Sequence, residues 1–204
     1  MVRVVLIRHG ETGWNKARRI QGGGSDTPLN ETGNRQKELI ARRLKAETVQ
    51  AVYSSPLQRA LDTARAIAGY HNLEVIVEPA FREIDVGEYE GASILEIGKQ
   101  IDEILTMGSG GETMATMPGG ESLKDVQTRV WAALQLLVAR HTEGNIVVVS
   151  HYFAILTIIC SVLNIPISQI GRFRMNPGSI STVAFDGKAT RLLSFNDSGH
   201  LVGI

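Results

Sequence analysis

Apolar positions along this 204-residue chain follow two alternating rhythms. Val2 to Ile7 is β-branched and apolar nearly throughout, the pattern of a strand covered on both faces of a parallel sheet. Ala51-Val52-Tyr53, running into Ser54-Ser55-Pro56, repeats it, as does Ile146-Val147-Val148-Val149, running into Ser150-His151. Between these runs the spacing turns helical. Asn30 is the expected N-cap of a helix from about Glu31 to Lys45, with Leu39, Ile40 and Leu44 at helical spacing. Ser55-Pro56 predicts a helix start, with serine as cap and proline at the first helical position, for a helix reaching about Ala68. Ser122 to Asp125 reads as a capping box, opening a helix that buries Leu123, Val126, Val130, Leu134 and Leu137 and ends near Arg140. Phe153 to Leu163 makes a buried helix closed by Pro166. Val75-Ile76-Val77 is a further candidate strand, and Ser181 to Phe185 and Arg191 to Phe195 are two more, joined by a turn at Asp186-Gly187.

This alternation predicts an α/β protein, a three-layer α/β/α sandwich with a mostly parallel central sheet that binds ligands at the carboxyl ends of its strands. Residues 1–204 read as a single domain. Val86 to Met117 breaks the alternation: Gly108 to Gly111 interrupts a helical pattern around Ile94 to Leu105, so about 86–118 reads as a small helical lid insertion.

Composition acts by exclusion. Hydrophobic residues at 43% and charged residues at 21% leave no room for long disorder. Acids and bases balance at 21 each, so no global field favours nucleic acid or an anionic membrane, and any basic site must be local. The lone cysteine, Cys160, lies inside an apolar helix and reads as a core thiol, with no disulfide possible within the chain. That helix is shorter than the roughly 20 residues that span a bilayer. Arg3 and Arg8 interrupt the N-terminal apolar stretch, so no signal peptide is expected and the cytoplasm is the expected compartment. The sequence is compatible with a homodimer. His71, His141 and His200 have no partner motif and read as surface or structural residues.

The residues able to carry chemistry lie just beyond predicted strands. Arg8 and His9, in Arg8-His9-Gly10-Glu11-Thr12, follow the first strand directly, and His151 follows the strand that ends at Ser150. Arg59 lies in the first turn of the helix begun by Ser55-Pro56, where unpaired N–H groups favour an anion. Glu83, in Phe81-Arg82-Glu83-Ile84-Asp85, follows Val75-Ile76-Val77, and Asn15 and Gln21-Gly22-Gly23-Gly24 lie in the stretch after His9. Singly, each has an ordinary structural reading: a satisfied histidine, a solvated arginine, a carboxylate paired with Arg82. Together, two histidines, two arginines and a carboxylate supply a nucleophile, anion clamps and a proton donor. His9, His151 and Glu83 also suit a two-histidine, one-carboxylate zinc site, although two arginines beside it would repel a divalent cation. A phosphate-ligand binding module without turnover is a further alternative.

With these residues in place the chain resembles members of the histidine phosphatase superfamily, also called phosphoglycerate mutase-like. The matching motifs are Arg8-His9-Gly10-Glu11-Thr12 with Asn15, Gln21-Gly22 with Asp26 and Pro28-Leu29, and Ser54-Ser55-Pro56-Leu57-Gln58-Arg59-Ala60 with Thr63-Ala64. Glu83 to Gly91, Pro118-Gly119-Gly120-Glu121-Ser122 and Val147-Val148-Val149-Ser150-His151 complete the set, in family order from residue 2 to about 151. The resemblance implies His9 as the nucleophile that accepts a phosphoryl group, Arg8, Arg59 and His151 as holders of the phosphate oxygens, and Glu83 as proton donor. It also implies that Thr12, Asn15, Gln21 and Gly22 line the phosphate pocket, with no metal or other cofactor. Phosphoryl transfer asks mainly for in-line positioning and charge neutralisation, which guanidinium and imidazole groups can provide.

Two departures separate the chain from the mutases of this superfamily. Glu83 is followed by Ile84-Asp85-Val86-Gly87-Glu88-Tyr89-Glu90-Gly91, where mutases carry Arg-His-Tyr-Gly, and their inserted segment is absent, which resembles the phosphatase branch. Tyr152, next to His151, stands where mutases carry glycine, and is expected beside the substrate with its backbone N–H available to phosphate. The lid carries Glu88, Glu90, Glu96, Asp102, Glu103 and Glu112 against Lys99 alone, a net charge of −5 (six acids, one base) that is expected to disfavour a carboxylated phosphoglycerate. Ile94, Leu95, Ile101, Leu105, Met107, Met114 and Met117 offer it apolar surface for a leaving group. The resulting expectation is a metal-independent phosphomonoesterase acting on a small ester of a neutral, apolar or aromatic alcohol, broad-specificity or α-ribazole phosphatase-like. A cofactor-dependent phosphoglycerate mutase is the alternative.

Overall fold

The computed structural model describes residues 1–106, 115–187 and 189–203, with Asp102, Leu105 and Thr106 described for their backbone only. Gly108 to Gly111, Met107, Met114 and Glu112 fall outside the described residues. The strands are β1 (Val2–Arg8), β2 (Val49–Ser54), β3 (Val75–Val77), β4 (Gly144–Ser150), β5 (Ile180–Phe185) and β6 (Thr190–Asp197). They form one sheet in the order β3-β2-β4-β1-β5-β6. The first four strands in that order run parallel, while β5 and β6 form an antiparallel hairpin at one edge. In β4, Ile146 to Val149 have no exposed surface, which is why that strand reads as an unbroken apolar run rather than an alternation.

The helices are α1 (Gly13–Lys16), α2 (Glu31–Leu44), α3 (Gln58–His71), α4 (Ile94–Thr106), α5 (Leu123–Arg140) and α6 (Tyr152–Val162). Because side chains alternate across a strand, Val5 and Ile7 of β1 join a core with α2 and α3, whereas Val4 and Leu6 join a second core with α5 and α6. The three-layer sandwich expected from the sequence is therefore the observed architecture. Among the described residues no helix is long and apolar enough to cross a membrane, and Cys160 is a buried free thiol in α6.

Two of the three expected caps form as read. Asn30 accepts the Gly33 N–H at 2.8 Å, and Ser122 and Asp125 cap one another reciprocally. The third is corrected: Ser55 does not cap α3, which begins at Gln58 after an extended Leu57. Asp26 takes the Gln58 N–H at 2.6 Å instead, so the exposed end of α3 is already occupied by a carboxylate. Ser55 remains in the turn out of β2, where it meets His151, the residue just beyond the end of β4.

The loop after β1 lies directly on the start of α2. A Cβ on Gly33 would stand 2.0 Å from the Glu11 carbonyl oxygen, and one on Gly10 would stand 2.6 Å from the Gly33 oxygen. Both obstacles are backbone and cannot rotate away. Gly33→Ala should therefore lower stability by about 1–3 kcal/mol, outweighing the roughly 1 kcal/mol gained in helix propensity. A urea titration showing an unchanged or raised midpoint would contradict this close approach.

Candidate active site

Strand register brings the chemistry together. β1 and β4 run side by side with Arg8 level with Ser150, and β2 lies against β4 with Ser54 level with Val149. The next residues, His9, His151 and Ser55, therefore leave the sheet at neighbouring carboxyl ends. The rings of His9 and His151 are 5.0 Å apart between centroids, and both residues are buried.

His9 Nδ1 lies 2.8 Å from the Gly10 carbonyl oxygen, which can only accept, so Nδ1 carries the ring proton. That leaves a lone pair on Nε2, to which Arg59 donates from Nε at 3.3 Å. Burial, then the charges of Arg59 and Arg8, hold the His9 pKa well below the ordinary imidazole value. The ring is thus neutral and oriented, with its nucleophilic nitrogen toward the site. Burial and the same cationic surroundings lower the His151 pKa in the same way. Its Nε2 is 2.7 Å from Ser55 Oγ. Ser55 Oγ also accepts the Leu57 N–H at 3.4 Å; with its own proton turned to Nε2, the ring proton of His151 lies on Nδ1.

Arg59 is completely buried, with Nη1 and Nη2 donating to the carbonyls of Ser25 and Gly22, each at 2.9 Å. Arg8 donates to the Met175 carbonyl at 2.5 Å, and its guanidinium lies 5.1 Å from the centre of the Tyr152 ring. Tyr152 is itself held by a 3.1 Å hydrogen bond to the Phe173 carbonyl. Burial lowers both guanidinium pKa values to about 10, still far above neutrality. Among the described residues neither arginine forms a salt bridge. Two desolvated cations without a contacting carboxylate make this a site that favours an anion.

Glu83 is buried, and its carboxylate accepts the N–H groups of Ile84, Phe153 and Ala154 at 2.9, 3.1 and 3.2 Å. Those three bonds favour the ionised form, but burial outweighs them and raises the pKa above the usual carboxylate range. Sequence reasoning missed the brace behind it. Arg129 of α5 pairs with Glu121 at 2.8 Å and donates to the carbonyls of Ala80, Arg82 and Glu83, fixing the loop that carries the acid. A helical arginine carries no sequence signal of such a task.

The remaining expected pocket residues divide. Asn15, Gln21 and Tyr152 line the cleft, and Thr12 and Gly22 support it from behind. Thr12 is fully buried, caps α1 reciprocally with Asn15 and donates to Gln21 Oε1 at 2.8 Å, which turns the Gln21 amide nitrogen inward. Gly22 gives its carbonyl to Arg59 and its N–H to Glu90. Three buried nitrogens at the site have no hydrogen-bond partner among the described residues: Arg8 Nε, Gln21 Nε2 and His151 Nδ1.

A cleft of about 550 Å³ opens from this cluster against the described part of the 86–118 segment. Its upper wall is apolar, with Val86, Ile94, Ile101 and Met117 from the lid segment, while Leu95 is 78% exposed and faces outward. Among the described residues the acidic character expected of the 86–118 segment does not reach the cleft. Glu88, Glu96 and Glu103 are exposed and none lines it. Glu90 instead ties down the Gly22, Gly24 and Ser25 loop. Among the described residues the charged groups that line the cleft are Glu83 and the arginines Arg8, Arg18, Arg19 and Arg174, and the last three carried no sequence signal. Among the described residues no three His, Cys, Asp or Glu side chains gather to hold a metal ion.

Residues 4–198 match the histidine phosphatase superfamily (branch 1), and the chain belongs to that family. Phosphoserine phosphatase 1 of Hydrogenobacter thermophilus is 34% identical over 98% of this chain and 95% of its own length. The probable phosphoglycerate mutase GpmB of Proteus mirabilis is 36% identical over 91% of this chain and 86% of its own. A phosphoserine phosphatase from Entamoeba histolytica, solved as a mutant in complex with phosphoserine, superposes with a TM-score of 0.88 at 32% identity, covering 99% of this chain and all of that one.

Proposed function

We propose that this chain is a metal-independent phosphomonoesterase that hydrolyses small phosphate esters through a phosphohistidine on His9. The observation behind this reading is the trio of buried, unpartnered nitrogens, Arg8 Nε, Gln21 Nε2 and His151 Nδ1, at the site where His9 keeps a lone pair on Nε2. A phosphoryl group among them would accept from all three, His151 taking part as its Nδ1–H tautomer, with Arg59 turning its Nε–H from His9 to an equatorial oxygen as the P–N bond forms. Glu83, protonated, gives its proton to the leaving oxygen as the P–O bond breaks. It then takes a proton from the water that attacks phosphorus, and the P–N bond breaks to return neutral His9 and inorganic phosphate. Named activities of the relatives, on phosphoserine and phosphoglycerate, support a substrate among small phosphate esters.

The test is turnover of a panel of phosphomonoesters, phosphoserine and 3-phosphoglycerate included, with EDTA present. Phosphate release should persist undiminished in the chelator and outrun any isomerisation of 3-phosphoglycerate. Chelator-sensitive release would favour a two-histidine, one-carboxylate metal site, and isomerisation faster than hydrolysis would make the chain a mutase.

A further inference from the structure

Phosphate chemistry at His9 accounts for Arg8 and Arg59 but leaves three other cleft arginines unused. Arg18, Arg19 and Arg174 all line the cleft and, unlike Arg59, are exposed. No carboxylate contacts any of them among the described residues. Arg19 donates to the Gly91 carbonyl, and Arg174 uses one nitrogen for the carbonyls of Gly171 and Phe173, leaving the rest of its guanidinium uncommitted. The Arg18 side chain has no hydrogen-bond partner among the described residues.

The backbone at Arg18 adds a second observation. Its φ is +52°, in the left-handed region at the end of α1, where glycine would sit without strain. An arginine held there, on the wall of a cleft, matches the tendency of backbone strain to gather at functional sites. The same residue anchors the lid: its carbonyl accepts the Ile94 N–H at 2.9 Å, and Arg19 bridges to Ser93. Cleft arginines and the apolar wall of Ile94 and Ile101 are therefore parts of one assembly. Glu83, the only acidic residue lining the cleft among the described residues, is committed to three backbone N–H groups.

We propose that the leaving alcohol of the substrate has an apolar body ending in a second anionic group, and that Arg18 and Arg174 receive that anion. The inference rests on the phosphatase reading and narrows it. The reacting phosphate lies among the buried donors, the apolar body lies against Ile94, Ile101 and Ile170, and the distal anion meets the exposed guanidiniums. Charge-assisted contacts of this kind favour an anionic ester over a neutral one of the same shape. The effect weakens as salt screens the exposed arginines.

Three esters separate the contributions: phenyl phosphate, 4-(carboxymethyl)phenyl phosphate and the carboxamide of the latter. With the intact chain, kcat/KM for the carboxylate should exceed that for the carboxamide by roughly 10-fold, with the ratio falling at high salt. Arg18→Gln and Arg174→Gln should each reduce the ratio, and the double substitution should bring it to about one. Glutamine keeps the backbone amide groups, so the Arg18 anchor to the lid is retained. Equal kcat/KM for carboxylate and carboxamide, or a ratio the double substitution leaves unchanged, would overturn the anion subsite alone. Failure of all three esters to turn over would remove the phosphatase reading and the subsite with it.

Discussion

Replacing His9 by alanine or asparagine should lower phosphate release by about 10⁴-fold or more, the scale expected when a covalent nucleophile is removed. The size reflects the division of labour at the site. On the proposed roles Arg8, Arg59 and His151 would still hold phosphate, but among the described residues of the site no other side chain offers an oriented, neutral nucleophile, because His151 Nε2 is engaged by Ser55. The expected companion result is an acid-labile phosphoenzyme trapped with the intact chain and absent from both variants. Inorganic phosphate should still raise the thermal midpoint of the alanine variant, which separates loss of chemistry from loss of fold. Residual turnover within about 10-fold of the parent would place the nucleophile elsewhere.

The second large effect belongs to Glu83. Glu83→Gln should lower kcat/KM by about 10²–10⁴-fold for an alkyl phosphate, the usual worth of a placed general acid. The loss should be much smaller for p-nitrophenyl phosphate, whose leaving phenolate needs no proton. The pH dependence has a defined sign. Burial disfavours the charged form of each group, so Glu83 keeps its proton above the ordinary value of 4.5 and His9 stays neutral below the ordinary 6.5. The proposed reaction needs both, neutral His9 and protonated Glu83. For alkyl esters, kcat/KM should therefore fall on the acid side as His9 protonates and on the basic side as Glu83 ionises. The glutamine variant should lose only the basic limb. An unchanged basic limb would assign it to another group and remove Glu83 as the acid.

Much of this site was legible because its residues adjoin features that are local in sequence. Arg8-His9 and Ser150-His151 each come at the end of a buried run, and two such runs in parallel must deliver their next residues to one edge of the sheet. Caps were legible for the same reason where both partners lie within three residues, as at Asn30 and Ser122. Ser55 was misread because its actual partner, His151, is 96 positions away, and Arg129 was missed because the loop it braces is 46 positions away. Neither separation leaves a trace in hydrophobic period or cap pattern. The lid misled in a different way. Its acids were counted along the segment, yet a helix divides its charges between two faces, and the inward face carries Ile94, Gly98 and Ile101.

By itself, then, the sequence determined the layers, the parallel core of the sheet and most of the titratable groups that gather at its carboxyl edge, since periodicity and strand ends are properties of neighbouring residues. Only the tertiary structure decided which nitrogen of His9 is free, that burial outweighs three hydrogen bonds in raising the Glu83 pKa, and that arginines line the cleft beside an acidic 86–118 segment. Those outcomes depend on desolvation and on contacts from elements remote in the chain, which exist only once the sheet has brought its strand ends together.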